Sequence, residues 1–259
     1  GESRLIGEIM DENVIYARTL DDQEKVANQI NKYGLIAIPI IDHEDCLVGI
    51  VTVDDAMLVL QDETTEDISI MAGVSPNEDS YFETSVFRQA KNRTPWLMLL
   101  MLSATITGEI LGYYENAMAV MPVLITFIPM LMGTGGNCGS QSSTLVIRGL
   151  AVGEIEFKDI FKVIFKEVRV ALIVGTLLAV VNGIRICLMY DWNVMLAVAL
   201  GITMISVVIM AKCIGCVLPL VAKKIGLDPA IMAAPLITTI LDTCTILVYF
   251  NIVTAFFHL

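Results

Sequence analysis

One acidic side chain, Asp242, lies in an apolar stretch near the C-terminus, with more than ten largely apolar residues on each side. An ionisable group at the centre of a membrane helix costs about 3 kcal/mol on insertion scales, so such groups are usually functional. Thr238 and Thr245 lie four residues before it and three after it, on the same helix face. The pattern predicts an oxygen-lined ion site. A protonated Asp242 that bonds to a neighbouring helix is the alternative interpretation.

A second stretch combines glycines with polar side chains at membrane depth. It reads Gly133-Thr134-Gly135-Gly136-Asn137-Cys138-Gly139-Ser140-Gln141-Ser142-Ser143-Thr144. Polar and irregular segments are tolerated inside a bilayer only where they are buried in protein or line a water-filled cavity. Close packing of helices through small residues explains the glycines. It does not explain Asn137 and Gln141, which lie four residues apart and therefore share a helix face.

Both stretches offer oxygen ligands, namely carboxylate, amide, hydroxyl and backbone carbonyl groups. These hard donors suit Mg²⁺ or Ca²⁺ and not the soft metals. A single carboxylate cannot strip the water shell from Mg²⁺, because that ion dehydrates reluctantly. We therefore expect a homodimer whose paired Asp242 side chains hold a hydrated divalent ion through its waters.

The charge and the hydropathy of the chain are concentrated in different parts. The 259 residues carry a net charge of −12, are 56% hydrophobic and have a mean hydropathy of +0.72. All of the net charge lies in residues 1–94. An ordinary soluble domain is about 45–50% apolar, so the composition excludes a soluble enzyme, and the acidic surface excludes nucleic acid as a partner. An acidic soluble domain joined to an integral membrane domain is expected.

Five stretches are long enough to cross a hydrocarbon layer about 30 Å thick. They run approximately over 95–114, 118–147, 164–189, 194–221 and 230–257. Lys and Arg occur in the first, third and fifth of the segments that precede or join these spans. The positive-inside rule then places the acidic domain in the cytoplasm and the C-terminus outside a bacterial-type cell membrane. Within the spans, Arg185 is expected to snorkel, and Lys212 to snorkel or to pair.

Residues 13–60 of the acidic part follow a β-α-β-β-α pattern. The strands are expected at 14–16, 35–41 and 46–51, with a helix capped by Asp21 or Asp22 and another that begins near Val53. An acidic segment, 62–67, follows, and a polar helical stretch at about 79–92 leads to the membrane. Nine acidic residues and no basic ones lie within 42–67. Such crowding costs stability, which a bound divalent cation would restore.

Enzymatic function is not expected. The two histidines lie in a soluble turn, at position 43, and at the C-terminal end, at position 258. Neither position provides a base for a serine or cysteine nucleophile within the spans.

Three sets of motifs resemble the MgtE magnesium channels, and the similarity covers nearly the whole chain in order. Pro122-Val123-Leu124 and the polar run from Gly133 to Ala151 resemble the second membrane helix of that family. Asp228-Pro229-Ala230, Pro235-Leu236 and Asp242-Thr243 resemble the fifth. The segments 47–55 and 65–68 are similar to the end of its second CBS repeat.

The resemblance implies an α-helical integral membrane protein with five transmembrane helices and a small cytosolic α/β CBS-repeat domain. Its parts would be a partial CBS sensor (1–70), a plug or connecting helix (71–94) and a pore domain (95–259). Members are homodimers with a pore between the subunits, and the matching pore residues are Asp242, Asn137, Thr238, Gly133, Gly136, Ser140 and Thr144. Cytosolic Mg²⁺ closes the gate by binding to sensor acids, which match Asp22, Glu24, Asp55, Glu63, Glu66 and Asp67.

Several positions depart from the family pattern. Ser140 and Ala234 stand where many relatives have Asn, and Leu58 and Gly34 replace acids of some sensor sites, so we expect weaker selectivity and fewer regulatory ions. The chain begins without Met and lacks the family's N-terminal helical domain and first CBS repeat, so we expect a piece of a longer protein. The main alternative function is a cation-coupled secondary transporter of divalent cations. A second alternative is a Mg²⁺ sensor that does not transport ions.

Overall fold

The computed structural model describes residues 5–11, 13–77, 79–190 and 192–258, without the side chains of Ile6 and Ala234. The position of the Ala234 side chain, on which one departure from the family pattern rests, is therefore outside the description. The chain divides into two compact units, Gly1–Asp67 and Ile68–Leu259. Each unit has a hydrophobic core of its own.

The first unit is a three-stranded sheet with two helices. Its elements are β1 (Ala17–Arg18), α1 (Gln23–Tyr33), β2 (Ala37–Ile41), β3 (Leu47–Thr52) and most of α2 (Val53–Met71), after a short 3-10 turn at Ile6–Glu8. The strand order is β1-β2-β3, with β1 parallel and β3 antiparallel to β2. The predicted β-α-β-β-α pattern is confirmed. The first strand lies at 17–18 and not at 14–16.

The ends of α1 follow directly from the sequence. The carboxylate of Asp22 accepts a hydrogen bond from the backbone N–H of Lys25, as an N-cap residue does. Gly34 ends the helix with a φ of +62°, a left-handed conformation that glycine adopts without strain. Of the two predicted N-cap residues, Asp22 is therefore the one that caps α1.

The acidic segment 62–67 belongs to helix α2. We expected it to follow the helix, because six polar residues with four acids are typical of a loop. Neither glycine nor proline interrupts the chain before Gly73, which has a φ of +69°. The helix therefore continues to Met71, and the hydroxyls of Thr64 and Thr65 bond to carbonyls one turn back.

A single helix, α3, runs from Val86 to Tyr113. The sequence predicted a polar helix at about 79–92 and a separate span from residue 95, divided near Pro95. Ser85 caps the helix by accepting from the N–H of Arg88, and the helix continues through Pro95. Membrane helices tolerate an internal proline, because neighbouring groups satisfy the carbonyl that it leaves free.

The rest of the second unit is also helical. After α4 (Glu115–Val120) and a 3-10 segment (Pro122–Phe127) come α5 (Ile128–Ala151), α6 (Ile160–Met189), α7 (Val194–Lys224) and α8 (Ala234–Phe257). Short 3-10 segments at Phe157–Asp159 and Pro229–Met232 precede α6 and α8. The predicted span 118–147 is therefore divided. Its first residues end α4, a 3-10 segment that begins at Pro122 follows, and α5 starts at Ile128 with Pro129 in its first turn.

Four helical segments among the described residues are long and apolar enough to cross a membrane. They are Val86–Tyr113, Phe157–Met189, Val194–Lys224 and Pro229–Phe257. The remaining predicted span, 118–147, contains α5, whose 24 residues are long enough but include glycines and polar side chains that lower its hydropathy. Helix α7 packs against α5, α6 and α8, and α3 packs against α8. The unit is thus a helical membrane domain in which α5 carries polar residues at membrane depth.

Candidate functional site

Helices α5 and α8 approach closely because glycines of α5 face side chains of α8. A Cβ atom added to Gly136 would lie 3.0 Å from Thr238 Cγ2, and one added to Gly135 would lie 2.7 Å from Thr245 Oγ1. A Cβ on Gly139 would collide with the side chain of Leu241. The predicted role of small residues in helix packing is therefore correct for these glycines.

These contacts also fix the depth of Asp242 relative to α5. The residue before it, Leu241, lies against Gly139, and the residue three after it, Thr245, lies against Gly135. Asp242 therefore lies on the stretch of α8 that packs along Gly135–Gly139 of α5, the segment that also contains Asn137. Its side chain is half-buried and makes no hydrogen bond or ion pair within the described part of the chain.

A polar stripe of α5 remains exposed on the single chain. Gly133, Asn137, Gln141 and Thr144 are exposed, and Ser140 is partly exposed beside them. A Cβ on Gly133 would meet nothing within 4 Å. Their spacing of about one or two turns places them on one side of the helix. Amide and hydroxyl groups facing lipid would be costly, so this stripe is expected to face protein or water.

The predicted pore residues are thus divided between two environments. Gly133, Asn137, Ser140 and Thr144 lie on the exposed stripe of α5, whereas Gly136 is buried against α8. On α8, Thr238 is half-buried like Asp242, and its hydroxyl donates to the carbonyl of Pro235. Thr245, the third member of the predicted polar stripe, is buried against Gly135, so the stripe on α8 is shorter than the sequence indicated.

Two hydrogen bonds join α8 to other parts of the membrane domain at different positions along its length. The hydroxyls of Thr107 in α3 and Thr243 in α8 lie 2.7 Å apart. The hydroxyl of Tyr249 donates to the carbonyl of Leu124 at 2.9 Å, just before α5. Because Thr243 directly follows Asp242, the first of these bonds anchors α8 next to the unpaired carboxylate.

A buried polar cluster joins α5, α6 and α7. The hydroxyl of Ser142 donates to Glu167 Oε2 at 2.6 Å, and the ammonium of Lys212 lies 3.2 Å from Ser142 Oγ and 3.4 Å from Glu167 Oε2. Lys212 is therefore paired, which was one of the two outcomes expected for it. Glu167 was missed, because it lies among basic residues in a segment assigned to a connection and a span end. A sequence feature that indicates the burial of Glu167 is the pair of small residues Ala171 and Gly175, four and eight positions later on the same helix face.

The predicted sensor acids lie at the starts of α1 and α2 and along α2. Gln23 Nε2 donates to Glu63 Oε1 at 2.7 Å, which places Glu63 close to the first turn of α1. Asp22 and Glu24 are the neighbours of Gln23 in that turn. Asp55, in the first turn of α2, accepts hydrogen bonds from the hydroxyl and N–H of Thr52 at 2.7 and 3.3 Å. These bonds lower the pKa of Asp55 below its ordinary value of 3.8.

Glu66 is exposed and Asp67 is partly exposed, one turn of α2 beyond Glu63. Within the described residues, one group of three possible ligands lies within 4.8 Å, and it consists of Asp42, Glu44 and Cys46. The sensor acids do not form such a group in the described part of this single chain. A cation bound to them would therefore use fewer carboxylates, bridging water or ligands from a second chain.

Two family descriptions match the chain. Residues 128–252 match the MgtE divalent cation transporter domain, and residues 6–62 match a CBS domain. The first match begins at the first residue of α5 and includes Asp242, so it contains α5 and α8 up to residue 252. The second match covers all three strands of the first unit and the first half of α2.

Three curated relatives carry the name magnesium transporter MgtE. The protein of Bacillus subtilis (strain 168) is 37% identical over 253 residues, which are 98% of this chain and 55% of the relative. That of Thermus thermophilus is 35% identical over 95% of this chain and 54% of the relative. That of Enterococcus faecalis is 34% identical over 98% of this chain and 55% of the relative. The chain thus spans about half the length of the curated relatives that it matches.

Proposed function

Because the chain belongs to the MgtE family of divalent cation transporters, we propose that it conducts Mg²⁺ into the cytoplasm through a pore between two copies. The observation that carries this proposal is the position of Asp242. It is a half-buried carboxylate without a hydrogen-bond or ion-pair partner among the described residues, on the stretch of α8 that packs against the α5 segment containing the exposed Asn137. A second copy would cover the polar stripe of α5 and supply a second carboxylate.

The ion would pass as a hydrated species. Two carboxylates can neutralise a divalent cation, and the amide and hydroxyl groups of Asn137, Ser140 and Thr144 can bond to its water shell. This arrangement suits Mg²⁺, which usually keeps several waters when proteins bind it. Ser140 supplies fewer oxygen and nitrogen contacts than the Asn of many relatives, which supports broader selectivity among divalent ions.

Charge asymmetry supports the direction of transport. The connection between α5 and α6 and the end of α7 carry several basic residues, whereas the connections at 114–116 and 190–193 carry none. By the positive-inside rule the basic connections face the cytoplasm, together with the acidic unit. An inside-negative potential of 100 mV would then draw a divalent ion inward with about 4.6 kcal/mol.

Cytosolic Mg²⁺ would close the pore through the acidic unit. An ion that binds one state more tightly must shift the population toward that state. Asp22, Glu24, Asp55, Glu63, Glu66 and Asp67 carry negative charge that repels in the absence of a cation. Binding of Mg²⁺ would relieve this repulsion and favour a compact, closed state.

Coupled transport is the alternative, and it requires a second ion-binding site within the membrane. Glu167 is buried and held by Lys212, so its charge is already balanced. Glu109 is exposed near the end of α3. The described carboxylate best placed to bind a free cation is therefore Asp242, which favours a channel.

Flux into liposomes tests the proposal. Purified full chain in Na⁺-free liposomes should admit Mg²⁺ under a Mg²⁺ gradient alone, as read by an enclosed Mg²⁺-sensitive dye. Asp242→Asn should lower the initial rate at least about tenfold, because the ion loses its charge partner. Glu109→Gln is the matched control, since it removes another acid from a membrane helix. Equal rates for wild type and Asp242→Asn would overturn the pore assignment, and a requirement for Na⁺ would favour coupled transport.

A further inference from the structure

The cluster of Ser142, Glu167 and Lys212 has a structural property that ion conduction by Asp242 does not explain. Its three side chains come from three different helices, and their exposed fractions are 0%, 9% and 4%. Each charged group has the other as its partner, and Ser142 contacts both. The cluster is therefore closed and charge-balanced, which is unlike a site for a mobile cation.

Stability alone is a weak reason to bury this pair. The loss of hydration roughly cancels the attraction between two buried charges, and apolar side chains of similar volume often stabilise as well or better. Polar contacts between membrane helices are likewise modest in strength. A better-supported role for buried polar groups is to select one register or orientation among several packed arrangements.

The contact of α5 with α7 at Gly139 does little by itself to fix the rotation of α5. Gly139 of α5 meets Gly215 of α7 so closely that a Cβ on Gly215 would collide with the Gly139 carbonyl. Two facing glycines form a smooth surface between α5 and α7. Contacts with α8 and polar bonds on other faces of α5 must therefore restrain its rotation.

Ser142 and Ser143 provide such contacts on the side of α5 away from the polar stripe. Successive residues turn by about 100° around a helix, so Ser142 lies about 140° from Asn137 and about 160° from Thr144. The hydroxyl of Ser143 donates to the carbonyl of Met232 at 2.6 Å, just before α8. The two serines thus tie the back of α5 to α6, α7 and the start of α8.

We propose that the Glu167–Lys212 pair acts through the Ser142 hydroxyl to fix the rotation of α5 and so to aim Asn137 and Gln141 at the ion. This positioning role rests on the proposed function as an ion pore. A helix with its side chains has a radius of about 5–6 Å, so a rotation of about 10° moves a side-chain tip by about 1 Å. A shift of that size is enough to change how a site contacts its ligand.

Ser142→Ala is the most specific test, because it removes one hydroxyl and leaves Glu167 and Lys212 paired. Thr203→Val is its matched control. Thr203 is also fully buried, and its hydroxyl donates only to the Ala199 carbonyl within α7. Each full-length variant would be reconstituted in liposomes, and initial rates for Mg²⁺ and for Ca²⁺ would be measured together with the melting temperature in detergent.

The positioning role predicts that Ser142→Ala lowers Mg²⁺ flux roughly tenfold and changes the ratio of Mg²⁺ to Ca²⁺ flux, while Thr203→Val leaves the ratio unchanged. The melting temperatures of the two variants should fall by similar amounts. Glu167→Asp is a second variant, since it keeps the charge but withdraws the carboxylate from Ser142, and it should change the ratio in the same direction.

Three outcomes are distinguishable. A changed ion ratio in Ser142→Ala and Glu167→Asp, but not in Thr203→Val, supports the positioning role. Wild-type ratios in both cluster variants, with Asp242→Asn inactive, would overturn the positioning role and leave the pore intact. Wild-type protein that admits no Mg²⁺ would overturn the proposed function and the positioning role with it.

Discussion

Gly136 of α5 and Thr238 of α8 lie so close together that a Cβ atom on the glycine would be 3.0 Å from Thr238 Cγ2. The contact is one helical turn from Asp242 and directly beside Asn137. It holds the segment of α8 that carries the half-buried Asp242 carboxylate close to the segment of α5 that carries the exposed Asn137 amide. The absence of a side chain at position 136 therefore determines the spacing of the candidate ion site.

A larger residue at a contact of this kind should separate the helices. Gly139→Leu places a side chain against Leu241 and Ile237, so we expect destabilisation by about 1–3 kcal/mol from overpacking, together with loss of Mg²⁺ flux. Thermal unfolding in detergent and liposome flux would measure the two effects. Gly183→Ala is the control, since a Cβ there meets nothing within 4 Å, and it should retain the wild-type melting temperature. Wild-type stability of Gly139→Leu would contradict the close approach.

The buried ion pair makes a prediction about coupling between two substitutions. Lys212→Met leaves the Glu167 charge buried without a partner, so the variant should lose about 3–5 kcal/mol of stability. The double substitution Glu167→Met with Lys212→Met removes both charges and should recover most of that loss. Unfolding curves of both single variants and the double variant measure the coupling. Additive losses would show that the pair does not interact.

The contact between Thr52 and Asp55 predicts a pH dependence in the first unit. The folded pKa of Asp55 is lowered by hydrogen bonds from Thr52, so the contact stabilises the fold above the unfolded pKa near 3.8. That contribution disappears as the pH falls through the lower folded pKa. Thr52→Val removes the hydroxyl donor and should raise the Asp55 pKa, which carbon NMR of labelled aspartate would record. An unchanged Asp55 titration would contradict the role of the hydroxyl.

The proposed sensor predicts protection of the segment at 62–92 by Mg²⁺. If a cation bridges the acids of α1 and α2, limited proteolysis within this segment should slow at millimolar Mg²⁺. The triple substitution Glu63→Gln, Glu66→Gln and Asp67→Asn should remove the effect, whereas Asp11→Asn, which lies outside the predicted sensor, should not. Equal cleavage with and without Mg²⁺ in the wild type would exclude the sensor in this chain.

Local signals in the sequence predicted much of this fold. The cap at Asp22, the end of α1 at Gly34 and the long apolar helices follow from side-chain chemistry and hydropathy within one segment. The predicted boundary between a polar helix at about 79–92 and a span from residue 95 does not occur, because membrane helices tolerate an internal proline such as Pro95. The extent of α2 was underestimated because acidity predicts solvent exposure but not the end of a helix.

Contacts between helices were harder to predict. The polar stripe of α5 and the central position of Asp242 could be read from spacing. The pairing of Glu167 with Lys212 could not, because it depends on which faces of α6 and α7 meet. The burial of Gly136 and Thr245 likewise depends on the rotation of α5 and α8 against each other. The periodicity of a single sequence shows which residues share a helix face, but it says little about which neighbouring helix packs against that face.

Dimers with one intact and one substituted chain test the central claim, that two Asp242 side chains hold one ion. Two affinity tags allow purification of dimers that combine a wild-type chain with an Asp242→Asn chain. If the carboxylates act together on a hydrated Mg²⁺, flux through the mixed dimer should be close to that of the doubly substituted dimer. Flux at half of the wild-type rate would contradict the account, because it would mean that each chain conducts independently.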